Sequence, residues 1–182
     1  MFPDPQRIFW LLIMNTLIEQ DVLHNKVKEI AQQINHDYAN RNPVLVGVLK
    51  GAFVFLADMV REIDIPVEID FLAISSYNGT QSSGVVRLTS DLSLNIEDRD
   101  VILVEDIIDT GRTVHYIIEN LRTRRPRSLV VCALLNKKDD RTVEVPLTYV
   151  GFDIPAVFVV GYGLDYDNKY RNLNYIGVLN GE

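Results

Sequence analysis

The stretch "VILVEDIIDTGRTVHYIIENLR", residues 101–122, joins an unbroken apolar run to a helical pattern across a short polar turn. A strand without polar alternation is covered on both faces, and such strands belong to parallel sheets flanked by helices. "VLVGVL", residues 44–49, is a second run of this kind. The rest of the chain falls in with them. Residues 19–38 carry Val22, Leu23, Val27, Ile30, Ala31 and Ile34 at helical spacing, and "NRNPV" breaks the pattern. "AFVFLADMVREI", residues 52–63, predicts a helix on the sheet, and "VEIDFLAI", residues 67–74, a strand. A polar Ser- and Gly-rich loop follows over residues 75–84, then a short strand at "VVRLTS". "SLVVCALLNK", "TYVGF" and "AVFVVG" predict further strands, and the helix "RTVHYIIENLR" ends near Pro126. Alternating strands and helices give an α/β fold with a mostly parallel central sheet.

The chain has 182 residues, enough for one domain with a core. Its net charge of −7 argues against a general nucleic-acid binder, which needs a basic face. The strongest basic cluster, "RTRRPR", reads as a helix C-terminus with favourable dipole charges. Cys132, the one cysteine, lies in the apolar run "SLVVCALL" and fits a reducing, cytoplasmic compartment. "IFWLLIM", residues 8–14, is too short to span a bilayer, so no membrane role is expected. Residues 1–18 are read as an N-terminal extension packed on the domain or on a neighbouring subunit, with residues 19–182 as the domain.

Ligands of open α/β sheets bind beyond the carboxyl ends of the strands. Three predicted strand ends carry chemistry: Lys50-Gly51, Glu105 through Thr113, and Lys137. In "DTGRT", a glycine at the strand-to-helix turn exposes successive N–H groups, and the helix turns its positive end to the same point. A capped helix start explains Asp and Thr there equally well. Glu105 and Asp106 read either as solvated acids or as acceptors for sugar hydroxyls or holders of Mg²⁺ through water. Neighbours on a strand face opposite ways, so both reach one site only where the strand geometry relaxes at its end. Neither a P-loop nor a dinucleotide fingerprint is present.

"VILVEDIIDTGRT" resembles the phosphoribosyl-pyrophosphate signature of the type I phosphoribosyltransferases. With "GVLKGAFVFLADMVREI", the "SSYNG" loop, "LLNKKDDR", "VGFDIP" and "FVVGYGLDYDNKYRNLNYIGVL", the chain resembles the hypoxanthine (hypoxanthine-guanine) branch from about residue 44 onward. The resemblance implies the type I phosphoribosyltransferase fold, with a small C-terminal hood region. It also implies roles. Glu105 and Asp106 would hold the ribose hydroxyls, and Asp109, Thr110, Gly111, Arg112 and Thr113 would cradle the 5′-phosphate. Asp109 would act as the general base near the purine. Lys50 and Gly51 would form the pyrophosphate loop, with a cis peptide before the lysine, and Arg171 would be the second pyrophosphate contact. Lys137 would donate to O6 of a 6-oxopurine, Phe158 would stack on the base, Val159 would act through its backbone, and Asp165 would lie near the base. Glu105, Asp106 and Asp165 would serve Mg²⁺, and Ser75, Ser76 and Tyr77 would begin a closing lid.

The implied reaction joins phosphoribosyl pyrophosphate to hypoxanthine, and to guanine, in a cytoplasmic homodimer or homotetramer. Two alternatives stand beside it. One is a regulatory nucleic-acid binder that uses phosphoribosyl pyrophosphate as a signal, against which the acidic balance and the complete catalytic set count. The other is a same-fold transferase preferring xanthine.

Overall fold

In a computed structural model of the protein, described over residues 14–76 and 86–179, the chain forms two sheets and three helices. The elements run β1 (Met14–Ile18), α1 (Gln20–Asp37), β2 (Val44–Leu49), α2 (Phe53–Arg61), β3 (Glu68–Ser76), β4 (Val86–Ser90), β5 (Asp100–Ile108), α3 (Arg112–Arg122), β6 (Ser128–Asn136), β7 (Leu147–Asp153), β8 (Val159–Val160) and β9 (Ile176–Leu179). The main sheet has the order β4-β3-β2-β5-β6-β7. All of its pairings are parallel except that of the edge strand β4, which runs antiparallel to β3.

Strand β5 shows why a continuous apolar run was needed. Ile102 and Val104 enter one core cluster with Leu23, Val27 and Ile30 of α1 and Phe55, Leu56 and Met59 of α2. Val101 and Leu103 enter the other, with Val114, Ile117, Ile118 and Leu121 of α3. Successive side chains point to opposite faces, and both faces are covered. The α1 stripe is the one the sequence displays, save that Val22 lies on its solvent side, 49% exposed.

The hood is a second sheet, of order β1-β9-β8 and antiparallel throughout. It is not wholly C-terminal, because β1 supplies its outer strand. Two boundaries also move. Strand β3 runs two residues further than expected and takes in Ser75 and Ser76, whose backbone pairs with Arg87 and Val86. The strand expected over residues 156–161 shrinks to Val159–Val160, since the chain first turns at Pro155, where the N–H of Val157 returns to its carbonyl at 2.8 Å. Tyr77 and the rest of the expected lid through residue 84, Val85 of the strand that follows, and residues 8–13 of the apolar N-terminal run lie outside the described residues. Among the described residues, no helix is long and apolar enough to cross a membrane.

Candidate active site

Strands β2, β5 and β6 are neighbours in the sheet and parallel, so their C-terminal ends emerge side by side. That brings Lys50-Gly51, residues 109–113 and Lys137 to neighbouring strand ends, beside a cleft. Its lining includes Val48, Gly51, Glu105, Asp106, Asp109, Thr110, Gly111 and Thr113.

The turn between β5 and α3 has the form its glycine predicts. Gly111 adopts φ 85° and serves as the N-cap of α3. Only glycine takes this conformation without steric cost. A Cβ there would also lie 2.5 Å from the Val143 carbonyl oxygen. Helix α3 starts with no acidic residue in its first turn, which leaves its positive end uncompensated toward the cleft. Thr110 and Arg112 are exposed beside it, and Thr113 is half-buried.

Glu105 and Asp106 do meet, though they sit inside β5 rather than at its very end. Their carboxyls lie close enough that each alters the proton affinity of the other. Burial, then the charge and side chain of Asp106, hold Glu105 well above the usual carboxylate range. Burial also pushes Asp106 up to about 6, against the opposing pull of the Ile107 N–H and the Arg171 charge. In the free protein the pair therefore keeps a proton to unusually high pH, and sugar hydroxyl donors or a cation would take that proton's place.

Behind these acids the loop that follows β2 and the segment between β8 and β9 come into close contact. The peptide bond between Leu49 and Lys50 is cis, as the resemblance implies, and Lys50 is exposed. A Cβ on Gly51 would fall 1.6 Å from the Asp106 Oδ2. A Cβ on Gly163, at φ 102°, would fall 2.2 Å from the Gly51 carbonyl oxygen. Arg171 closes the cluster: it donates to the Gly163 carbonyl at 2.6 Å and pairs with Asp165 at 2.5 Å. The second oxygen of Asp165 accepts the Asn168 N–H at 2.8 Å.

On the opposite side, Lys137 is not part of a basic surface patch. It is 8% exposed, and its Nζ lies 3.5 Å from the Asp109 Oδ2. Lys138 turns outward to Asp153 at 2.6 Å. Phe158 is 50% exposed, which separates it from the core residues of its run, and its ring meets Tyr166 edge-on at 5.7 Å. Val159 is buried and pairs through its backbone with Val178.

Among the described residues no three His, Cys, Asp or Glu side chains form a metal-binding group. Glu105, Asp106 and Asp165 therefore do not converge as one ligand set, because Asp165 is already engaged by Arg171 and Asn168. Two adjoining carboxyls with raised proton affinity still suit Mg²⁺, which commonly takes one or two carboxylates and completes its shell with water and substrate phosphate oxygens. Tyr166, Gly163 and Arg141 are not among the residues that the sequence assigns to the site. For Gly163 the "GYG" triplet was a usable signal. For Tyr166 and Arg141 nothing local marks the contact.

A family model, Phosphoribosyl transferase domain, matches residues 19–167. The hypoxanthine-guanine phosphoribosyltransferase of Streptococcus thermophilus is 48% identical over 171 residues, covering 93% of this chain and 95% of that one. The bifunctional protein TilS/HprT of Listeria monocytogenes is 47% identical over 171 residues, and the chain spans only 26% of its length. The crystal structure of a hypoxanthine phosphoribosyltransferase from Staphylococcus aureus superposes with a TM-score of 0.90 at 41% identity, covering 97% of this chain and 96% of that one. With the parallel sheet, the β5–α3 turn and the hood in place, these matches show that the chain belongs to the phosphoribosyltransferase family, in its hypoxanthine-guanine branch.

Proposed function

We propose that this cleft transfers the 5-phosphoribosyl group of phosphoribosyl pyrophosphate to hypoxanthine or guanine, in purine salvage. The observation that carries the reading is the Asp109–Lys137 pair, 3.5 Å apart on neighbouring strand ends beside the Gly111 turn. It joins a proton acceptor and a buried donor next to an anion cradle. The bond from the anomeric carbon to pyrophosphate breaks, and pyrophosphate leaves with the electron pair. A ring nitrogen of the base forms the new bond. The proton that the purine sheds goes to Asp109, acting as general base.

The remaining residues divide by charge. Residues 109–113 hold the 5′-phosphate through amides, hydroxyls and the start of α3. Glu105 and Asp106 accept the ribose hydroxyls and favour the cationic character that the anomeric carbon gains as pyrophosphate departs. Lys50, the Gly51 backbone and Arg171 receive the leaving group. Lys137 donates to a 6-oxo group and meets a second donor on adenine, an arrangement that sets two donors against each other in a buried site. Phe158, with Tyr166 at its edge, offers a face for the purine ring. Glu105 and Asp106, with Asp165 as a more distant acid, would hold Mg²⁺, which would supply neutralising charge to the substrate's phosphate and hydroxyl oxygens. Ser75, Ser76 and Tyr77 begin the lid in this reading. The resemblance supports a homodimer or homotetramer in the cytoplasm, a compartment consistent with the lone buried cysteine, Cys132.

Asp109→Asn tests the reading. The variant should bind phosphoribosyl pyrophosphate as the wild type does and lose at least about 100-fold in kcat, the lower range for a positioned general base. Near-normal turnover would contradict the assignment.

A further inference from the structure

The segment linking β6 to β7 folds back against the 109–111 turn. Arg141 Nε donates to the Asp109 carbonyl at 3.2 Å. The Thr142 and Val143 amides both donate to the Thr110 carbonyl, at 3.0 and 3.1 Å, and the Thr142 hydroxyl adds a third donor at 3.2 Å. Both successive carbonyls of the turn are thus drawn to one side. In a planar trans peptide the N–H points opposite the C=O. Pulling the carbonyls of Asp109 and Thr110 toward residues 141–143 therefore turns the N–H groups of Thr110 and Gly111 the other way, toward the cleft these residues line. The Arg141 charge also neutralises the negative end of the first peptide dipole, so the positive end faces the ligand without opposition.

Arg141 is itself held. Its second guanidinium arm donates to Oδ1 of Asn136, a residue only 3% exposed. The Asn136 Nδ2 donates to Asp153 Oδ1 at 2.6 Å. A carboxylate accepts only hydrogen bonds, so Asp153 dictates which end of the amide faces it and presents the oxygen to Arg141. Lys138 fixes the other oxygen of Asp153 at 2.6 Å. The exposed pair of Asp153, at the end of β7, and Lys138, just beyond β6, thereby sets the orientation of a guanidinium that in turn sets the 109–111 turn.

We infer that Arg141, oriented by Asn136 and Asp153, is a positioning residue for the 5′-phosphate cradle and for the backbone that carries Asp109. The inference rests on the reading of residues 109–113 as the phosphoribosyl site, and it adds residues that reading does not include.

The test is initial-rate kinetics with phosphoribosyl pyrophosphate, Mg²⁺ and hypoxanthine, with melting temperatures recorded alongside. Arg141→Ala should raise KM for phosphoribosyl pyrophosphate about tenfold or more, the usual weight of a hydrogen bond from a charged donor. KM for hypoxanthine should stay within about twofold, and the melting temperature near that of the wild type, because the side chain is only half-buried. Arg141→Lys should restore only part of the loss, since an ammonium lacks the fork that reaches both Asp109 and Asn136. Asn136→Leu should reproduce part of the rise in KM, and the double variant Asn136→Leu/Arg141→Ala should be no worse than Arg141→Ala alone. Additive effects in the double variant, or an unchanged KM for phosphoribosyl pyrophosphate in Arg141→Ala, would overturn the role of Arg141 while leaving the site reading intact. A wild-type protein that binds no phosphoribosyl pyrophosphate would overturn both.

Discussion

Asp109 meets the site through two different atoms. Its carboxylate lies 3.5 Å from Lys137, and its carbonyl is held by Arg141 at 3.2 Å. The Lys137 ammonium is therefore paired before any base arrives, and a purine with an oxygen at position 6 offers it a second acceptor. Lys137→Ala should abolish the preference for hypoxanthine over adenine, chiefly by lowering kcat/KM for hypoxanthine. Unchanged discrimination between the two bases would remove Lys137 from the specificity role. The acid pair makes a prediction of opposite character. Glu105 and Asp106 both hold protons to higher pH in the folded chain than when unfolded. From the ordinary carboxylate range up to about 6 and beyond, the folded state therefore binds more protons, and stability falls as pH rises through that window. Glu105→Gln keeps the shape and removes one of the two charges. In EDTA at pH 8 it should melt above the wild type, and near pH 4 the two should converge. Parallel melting curves across that range would show that the pair is not strained by ionisation.

At the scale of elements, strand β2 and the hood meet at two glycines whose demands differ. A methyl at Gly51 would collide with the end of a side chain, the Asp106 carboxylate, which can swing away. A methyl at Gly163 would collide with the Gly51 carbonyl, which is backbone, and would also sit at φ 102°. Gly51→Ala should therefore lower turnover with little change in unfolding free energy. Gly163→Ala should cost more than about 1 kcal/mol of stability, read by urea unfolding. Equal stability losses in the two would contradict this division. The same elements show what the sequence makes legible. The runs at β2 and β5 name a parallel sheet because burial on both faces leaves no room for polar residues. The three site-bearing strand ends follow from that. Strands β1 and β9 leave little trace, being five and four residues long and paired with each other across about 160 residues of chain. Arg141 is silent for a similar reason, since its partner lies 32 positions away and only the folding of the β6–β7 link brings them together. Phe158 misleads on composition alone, where an aromatic in an apolar run belongs to the core, and only the turn at Pro155 exposes it.

For the whole molecule, the puzzle is an acidic protein for which a highly anionic substrate is proposed. The net charge is −7, and the cleft itself contains Glu105, Asp106 and Asp109. The proposed function resolves this by separating the signs. In it, peptide dipoles and α3 would face the 5′-phosphate, Lys50 and Arg171 would face the opposite end, and the carboxylates would stand between them, where the reacting carbon becomes cationic. A regulatory binder would need the ends of this arrangement but not the Asp109–Lys137 pair in the middle. The direct measurement is turnover with phosphoribosyl pyrophosphate and Mg²⁺ against hypoxanthine, guanine, xanthine and adenine in parallel, following both nucleotide and pyrophosphate. The account predicts equal amounts of the two products with hypoxanthine and guanine, and little or none with adenine. Absence of nucleotide with every base, or adenine as the best substrate, would contradict it.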